Sequence, residues 1–340
     1  MNDRALTHRV LLPLDGSELA VASIPYARAL LAPESELILL RVVSDPTPMT
    51  ELAGTSAFPI AKVRTQRLQE ARAYLDAVID TVREAVPTIR ALTVIGSAPD
   101  EILRTAEREA VGMILMASHG RGAVGRFAMG SVADRVARAA LMPVMVIHPK
   151  PGDLSPTADA RAEIRRVVVP LDGSNFARQA LPIAASIARQ QGVPMHLVRA
   201  TPSVSDLLMY PEAMGTDSGQ MTEEYDKALW DDAVAGLDAE VAKHRAAGIS
   251  TGMSVVVGSA ARSILEVVEE GDLIVMTSHG EGGVRRWLLG SVAEKLIHAG
   301  AAPVILVPTT ARRLVITEVV RRTKGVEQTA VAAAMTVGTS

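Results

Sequence analysis

Met116-Ala-Ser-His-Gly-Arg-Gly-Ala-Val-Gly-Arg-Phe-Ala-Met-Gly-Ser-Val132 joins a short apolar run, Met113 to Ala117, to a helix-like segment, Ser131 to Ala140. The arrangement returns as Met276-Thr-Ser-His-Gly-Glu-Gly-Gly-Val-Arg-Arg-Trp-Leu-Leu-Gly-Ser-Val292, with the same Ser-His-Gly, nine residues, Gly-Ser-Val spacing. A glycine-rich turn between a buried strand and a helix start suits a phosphate. Backbone N–H groups and the helix dipole both point at an anion there. Gly120 and Gly280 allow close backbone approach to such a group. Gly130-Ser131 and Gly290-Ser291 stand at the helix starts. Asp134 and Glu294, three residues after each serine, predict capping boxes with Ser131 and Ser291 as N-caps.

The repeat extends outward from this loop. Arg9-Val-Leu-Leu-Pro-Leu-Asp-Gly-Ser17 is a buried strand ending in turn chemistry, with Ser17 a candidate N-cap, and Arg166-Val-Val-Val-Pro-Leu-Asp-Gly-Ser174 matches it. Pro25 and Pro182 each lie ten residues after the aspartate and should kink or delay the helix that follows. Second strands are predicted over 37–43 and 195–200, third strands over 89–95 and 249–257, fourth strands over 113–117 and 272–277, and fifth strands over 143–147 and 303–307. Long helices are predicted over 60–86 and 221–247. Residues 150–163 are polar with two prolines and read as a linker between domains at 1–149 and 164–308. Residues 309–340 have no counterpart after the first half and read as a C-terminal tail.

Alternating strands and helices predict an α/β fold: two tandem Rossmann-like domains. Each is expected to be a five-stranded parallel sheet with helices on both faces and right-handed crossovers, for which the order 3-2-1-4-5 is taken as the working arrangement. In such sheets ligands bind beyond the carboxyl ends of the strands, where strand order reverses. Here that crevice lies between strands 1 and 4, which is where the glycine loop leaves the sheet.

Composition narrows the chemistry. The chain has 340 residues, 48% hydrophobic and 21% charged, enough for two cores. Aromatic residues make up 3%, which leaves little for stacking single-stranded nucleic acid. A formal charge of −3 gives no basic field for nucleic acid or anionic lipid. The absence of cysteine excludes disulfides, thiolate metal sites and cysteine catalysis, and suits a reducing cytoplasm. The first residues, Met1-Asn-Asp-Arg-Ala-Leu-Thr-His8, lack the apolar core of a signal peptide, and no apolar run reaches membrane-spanning length. The seven histidines show no metal-ligand spacing. Neither His119 nor His279 has an acidic orienter fixed beside it, so no residue is assigned as catalytic.

Asp15 and Asp172 have two readings, an Asx-turn or a ligand contact. A carboxylate repels phosphates, so a binding role places it at the other end of the ligand, accepting from a base amine or a ribose hydroxyl. Pro13 with Leu14, and Pro170 with Leu171, would then line the base, over a floor of Val42 and Ala200. Met116 and Val132, with Met276 and Val292, complete the candidate set. Arg121 in the first loop is replaced by Glu281 in the second, which predicts weaker triphosphate binding in the second half.

These motifs, in order and twice over, resemble the universal stress protein family in its tandem two-domain form, across residues 8–308. The carriers are Val10-Leu-Leu-Pro-Leu-Asp-Gly-Ser17, the Gly96-Ser-Ala-Pro99 turn, and Ser-His-Gly, nine residues, Gly-Ser-Val followed by a Pro-Val strand. The resemblance implies a fold of the HUP, or adenine nucleotide alpha hydrolase-like, type. For one branch of the family it implies ATP at this loop, arriving with Mg²⁺. It also places the aspartate at the adenosine end. It implies pairing of two domains through their last strands, within one chain or in a homodimer. The ATP-binding branch carries Gly-(two)-Gly-(nine)-Gly-Ser. Here Ala117 and Thr277 replace the first glycine, a change the backbone tolerates only where φ is negative. The resulting expectation is an ATP-binding stress-response module. The alternatives are a nucleotide-free dimerisation or partner-binding module, and a slow ATPase. The loop lacks the Gly-Lys-Ser/Thr of a P-loop, so any hydrolysis should be weak.

Overall fold

A computed structural model describes residues 7–45, 60–84, 86, 88–118, 129–148, 161–203, 218–278 (backbone only for 218–222) and 289–309. In chain order the first half runs β1 (Arg9–Pro13), α1 (Glu18–Val21), α2 (Ile24–Leu30), β2 (Glu36–Val43), α3 (Ile60–Val82), β3 (Ile89–Ile95), α4 (Ala98–Arg108), β4 (Met113–Ala117), α5 (Ser131–Ala139) and β5 (Val144–Ile147). The second half runs β6 (Arg166–Pro170), a 3₁₀ turn (Ala177–Ala180), α6 (Leu181–Gln191), β7 (Met195–Thr201), α7 (Ser218–Ala246), β8 (Thr251–Val257), α8 (Ala260–Val267), β9 (Asp272–Thr277), α9 (Ser291–Ala299) and β10 (Val304–Val307).

The ten strands make one sheet in the order β3-β2-β1-β4-β5-β10-β9-β6-β7-β8. Each half therefore has the 3-2-1-4-5 order, and neighbours within a half are parallel. The halves meet where β5 and β10 pair antiparallel, with Ile305 opposite Met145. Alternate residues of each strand feed two cores. Val10, Leu12, Leu39 and Leu115 pack with α2, α3, α6 and α7 on one face of the sheet. Leu11, Leu40, Ile114 and Met116 pack with α4, α5, α8 and α9 on the other. Both cores run through the seam without interruption, since Met145 and Ile305 belong to one and Val144, Val146, Val304 and Leu306 to the other.

The prolines act where the sequence places them. Pro25 and Pro182 stand in the first turns of α2 and α6, where a missing N–H breaks no helical bond. The helix after β1 is accordingly divided into α1 and α2. Across the seam, Gln190 and Gln191 of α6 donate to the Leu30 and Ala29 carbonyls at the end of α2, each at 2.7 Å. On the other face, Arg138 of α5 pairs with Asp134 of its own helix at 2.7 Å and approaches Glu294 of α9 at 3.9 Å.

The amino ends of the strands are fastened by ion pairs. In the first half Arg9 holds Glu36 at 2.6 Å, Arg90 binds Glu36 as well, and Arg90 pairs with Glu109 at 2.6 Å. Burial alone would raise the Glu36 carboxyl. Hydrogen bonds from Arg90 and Arg9 outweigh it and hold the group below its ordinary value. In the second half Arg166 grips the buried Asp272 through two hydrogen bonds of 2.9 and 2.7 Å.

Candidate functional site

The turn at the end of β1 starts from a fixed point. Leu14 N–H donates to the Leu40 carbonyl at 2.8 Å, which continues the β1–β2 ladder one residue beyond Pro13. Asp15 then folds back. Its Oδ1 accepts from Ser17 N–H at 2.9 Å and from Ser17 Oγ at 2.5 Å. Gly16 carries the chain through φ +80, a left-handed value glycine adopts without a side-chain clash. Ser17 caps α1 by accepting from Ala20 N–H at 3.2 Å. The second half repeats these steps. Leu171 N–H donates to Val198 at 2.8 Å, Ser174 N–H donates to Asp172 Oδ1 at 2.9 Å, and Gly173 has φ +88. The Asx-turn reading of both aspartates is therefore present in the geometry. It occupies Oδ1 and leaves the side chain at the mouth of the switch point.

The β4 end is fastened in the same manner. Ser118 N–H donates to the Ile147 carbonyl at 2.7 Å, and the Ser118 carbonyl accepts from Gly130 N–H at 2.6 Å. In the second half Ser278 donates to Val307 at 3.0 Å and accepts from Gly290 at 2.8 Å. One hydrogen bond thus closes the stem of each glycine loop and sets the start of the following helix directly against the strand end. His119, Gly120, Arg121 and Arg126, and His279, Gly280, Glu281, Arg285 and Arg286, lie outside the described residues.

One expectation is corrected here. Ser131 and Ser291 are not N-caps. Gly130 and Gly290 hold the cap positions with extended backbone, and each serine is the first helical residue. The reason is the stem bond: Gly130 N–H is spent on Ser118, while its carbonyl accepts from Asp134 N–H at 2.9 Å as the first intrahelical bond. No side chain among the described residues caps either helix. Among the described residues, the first-turn N–H groups of α5 and α9 therefore meet no capping oxygen, the arrangement that receives an anion. The question of Ala117 and Thr277 also resolves. Both are terminal strand residues, paired with Ile147 and Val307, and neither has positive φ. The backbone at these points makes no demand for glycine.

The remaining candidates sort by face. Leu11, Ile38, Leu40, Ile114 and Met116 share the core beneath α4 and α5, with Val42 and Val132 packed against it. Strand alternation puts Pro13 on this same face. Val198, Met276 and Val292 repeat the set, with Ala200 and Pro170 in register on β7 and β6. Leu14 and Leu171 belong to the opposite core. They support the turn from behind rather than sharing the α5 or α9 side of the crevice.

Two residues the motifs did not indicate also meet the turn. Arg41 of β2 donates to the Leu14 carbonyl at 3.0 Å, and its guanidinium lies 5.6 Å from the centre of the Tyr74 ring. At the same register of β7, Arg199 pairs with Asp232 at 2.8 Å. The signal was an arginine at the same place near the carboxyl ends of two second strands, Arg41 in β2 and Arg199 in β7.

Comparison with known proteins agrees with this geometry. The universal stress protein family model matches residues 7–148 and 163–308. A universal stress protein of Mycobacterium tuberculosis is 30% identical over 241 residues, covering 70% of this chain and 76% of that protein. Another from Mycolicibacterium smegmatis is 26% identical over 311 residues, covering 90% of this chain and 99% of the relative. Among solved structures, a universal stress protein from Archaeoglobus fulgidus superposes with a TM-score of 0.61 at 20% identity, covering 91% and 98% of the two chains. That likeness concerns the fold. Two matched segments fill most of the chain and coincide with two copies of one α/β frame, so the chain belongs to the universal stress protein family, as a tandem member.

Proposed function

We propose that residues 1–149 and 164–308 form two adenine-nucleotide-binding units, and that the protein is a regulatory module of the stress response whose state is read through bound ATP. The base and ribose lie at the end of β1, against Pro13, Asp15 and Val42, or Pro170, Asp172 and Ala200. The phosphates lie at the start of α5 or α9, by Gly130 and Ser131 or Gly290 and Ser291, with Gly120 and Gly280 in the adjoining loops. Mg²⁺ belongs to the nucleotide in this reading. The observation that carries it is the doubled juxtaposition: in each half a helix N-terminus with no side-chain cap among the described residues is bonded to the end of strand 4, beside an aspartate turn at the end of strand 1. An anion-receiving end and a carboxylate end on one crevice suit a ligand that is polyanionic at one end and carries amine or hydroxyl donors at the other.

Regulation rather than turnover fits the same residues. A binding site that holds phosphates through backbone N–H groups, with no assigned nucleophile or general base, favours occupancy over reaction. The test is to denature the purified protein and identify any released nucleotide, then titrate the emptied protein with ATP–Mg. Released adenine nucleotide, or saturable binding of ATP–Mg, is expected. A protein that is empty as purified and fails to bind added ATP–Mg overturns the proposal.

A further inference from the structure

We infer that Arg41 is a positioning residue for the base end of the first-half site, and that the second half lacks this device. The inference rests on the adenine-nucleotide reading above and concerns how one of the two sites discriminates its base.

Arg41 follows Leu37 and Leu39 on β2, so its side chain projects to the α3 face, away from the face that carries Val42 and Met116. From there it reaches the turn at the end of β1 and donates to the Leu14 carbonyl at 3.0 Å. This contact fixes the plane of the Leu14–Asp15 peptide. No peptide bond among the described residues is cis, and in a planar trans peptide the C=O and the following N–H point in opposite directions. Drawing the Leu14 carbonyl toward β2 and α3 therefore turns the Asp15 N–H toward β4, the side of the crevice. That places a backbone donor at the base end, next to the Asp15 carboxylate. A donor beside an acceptor is the pattern that matches the ring nitrogen and exocyclic amine on one edge of adenine.

The second half shows why this arrangement is not automatic. Arg199 occupies the register of Arg41, since Leu40 is opposite Pro13 and Val198 opposite Pro170. Its hydrogen bonds go to Asp232, at 2.8 Å from the carboxylate and 3.5 Å from the carbonyl. Two substitutions on the covering helix account for the change. Asp232 stands where α3 has Tyr74, and a carboxylate captures a guanidinium more strongly than a ring face does. Gly236 stands where α3 has Val78, and a Cβ there would come within 3.3 Å of Arg199 Nη1. The first half fills that space with a buried valine, and Arg41 lies over Tyr74 with its Nη1 donating to the Leu14 carbonyl.

The test is photolabelling of the full chain with an azido-adenine triphosphate and Mg²⁺, read as labelled peptides from each half, with adenosine or tripolyphosphate as competitor. Arg41→Met is expected to raise the adenosine concentration that halves first-half labelling about tenfold, the effect of one misplaced hydrogen bond. Tripolyphosphate competition in the first half, and both competitions in the second, should not move. Tyr74→Asp should shift adenosine competition in the same direction by drawing the guanidinium away. It keeps the arginine and alters a partly exposed helix position, so it decides the matter where Arg41→Met fails to fold. Unchanged adenosine competition in the variants, an equal loss for both competitors, or label confined to the second half overturns the inference and leaves the nucleotide reading standing. Wild-type labelling that adenosine does not displace from either half removes the nucleotide reading, and the inference with it.

Discussion

At the amino ends of the strands the first half ties Arg9, Glu36, Arg90 and Glu109 together, while the second ties Arg166 to Asp272 and sets His196 where the first has Ile38. At the carboxyl ends Arg41 bonds to a turn carbonyl and Arg199 to a helix aspartate. Apart from these side-chain bonds the halves share one frame. Strand order, the Asx-turn, the glycine with positive φ and the stem bond of the loop all recur. The contrast has a physical origin. A buried aliphatic side chain is worth about 1.5–3 kcal/mol and depends on strand register, whereas a polar fastening nets about 1 kcal/mol and is easily replaced by another. The buried apolar positions and the backbone-anchored turns recur in both halves, while the side-chain bonds of the arginines differ.

The largest effect is expected where the halves are least separable. Ile305 is fully buried opposite Met145, in a core that belongs to both. Ile305→Ala should cost about 2–5 kcal/mol, and urea unfolding followed by circular dichroism should remain one transition. Two resolved transitions, with only the second half weakened, would show the halves to be independent units.

Next in size are Gly130→Asp and Gly290→Asp. Aspartate is a favoured N-cap, so helix stability should hold or rise. Its charge opposes a phosphate, and ATP affinity at the altered site should fall by about a hundredfold. Calorimetric titration checks this, with each variant losing one set of sites and keeping the other. If both variants bind as the wild type does, the helix starts are not where the phosphates sit.

The smallest effect separates the halves by pH. Burial, reinforced by Arg166, lowers the His196 pKa below its ordinary 6.5, and burial lowers His244 in the same direction. Between the folded values and 6.5 the unfolded chain binds more protons. Stability is therefore full above pH 6.5 and is lost as pH falls from there through the folded values. His196→Ile, which installs the first-half residue, should flatten part of this slope in urea midpoints measured between pH 8 and pH 5. A wild-type midpoint that does not fall on acidification would contradict the assignment.

Much of this was legible because the frame is repeated. Strand 3 of the first half and both fourth strands fall on the residues that the apolar runs marked, whereas alternation and handedness gave parallel sheets without fixing their strand order. Helix ends were less legible. α3 stops at Val82 and α7 starts at Ser218, where periodicity had suggested Val86 and Met221, because terminal turns are set by local bonds rather than by the apolar stripe. The serine caps were misread for a related reason. Ser and Asp at capping-box spacing describe a helix that begins freely, whereas here the preceding glycine is already bonded to Ser118 or Ser278. Arg41 was invisible to motif reading because its contacts, the Tyr74 ring and the Leu14 carbonyl, lie on other elements far along the sequence.

The antiparallel seam gives the molecule a directionality. Because β5 and β10 run in opposite senses, the carboxyl ends of the two sets of strands lie at opposite edges of one sheet. The two crevices consequently look away from each other. Whatever covers one mouth therefore leaves the other uncovered.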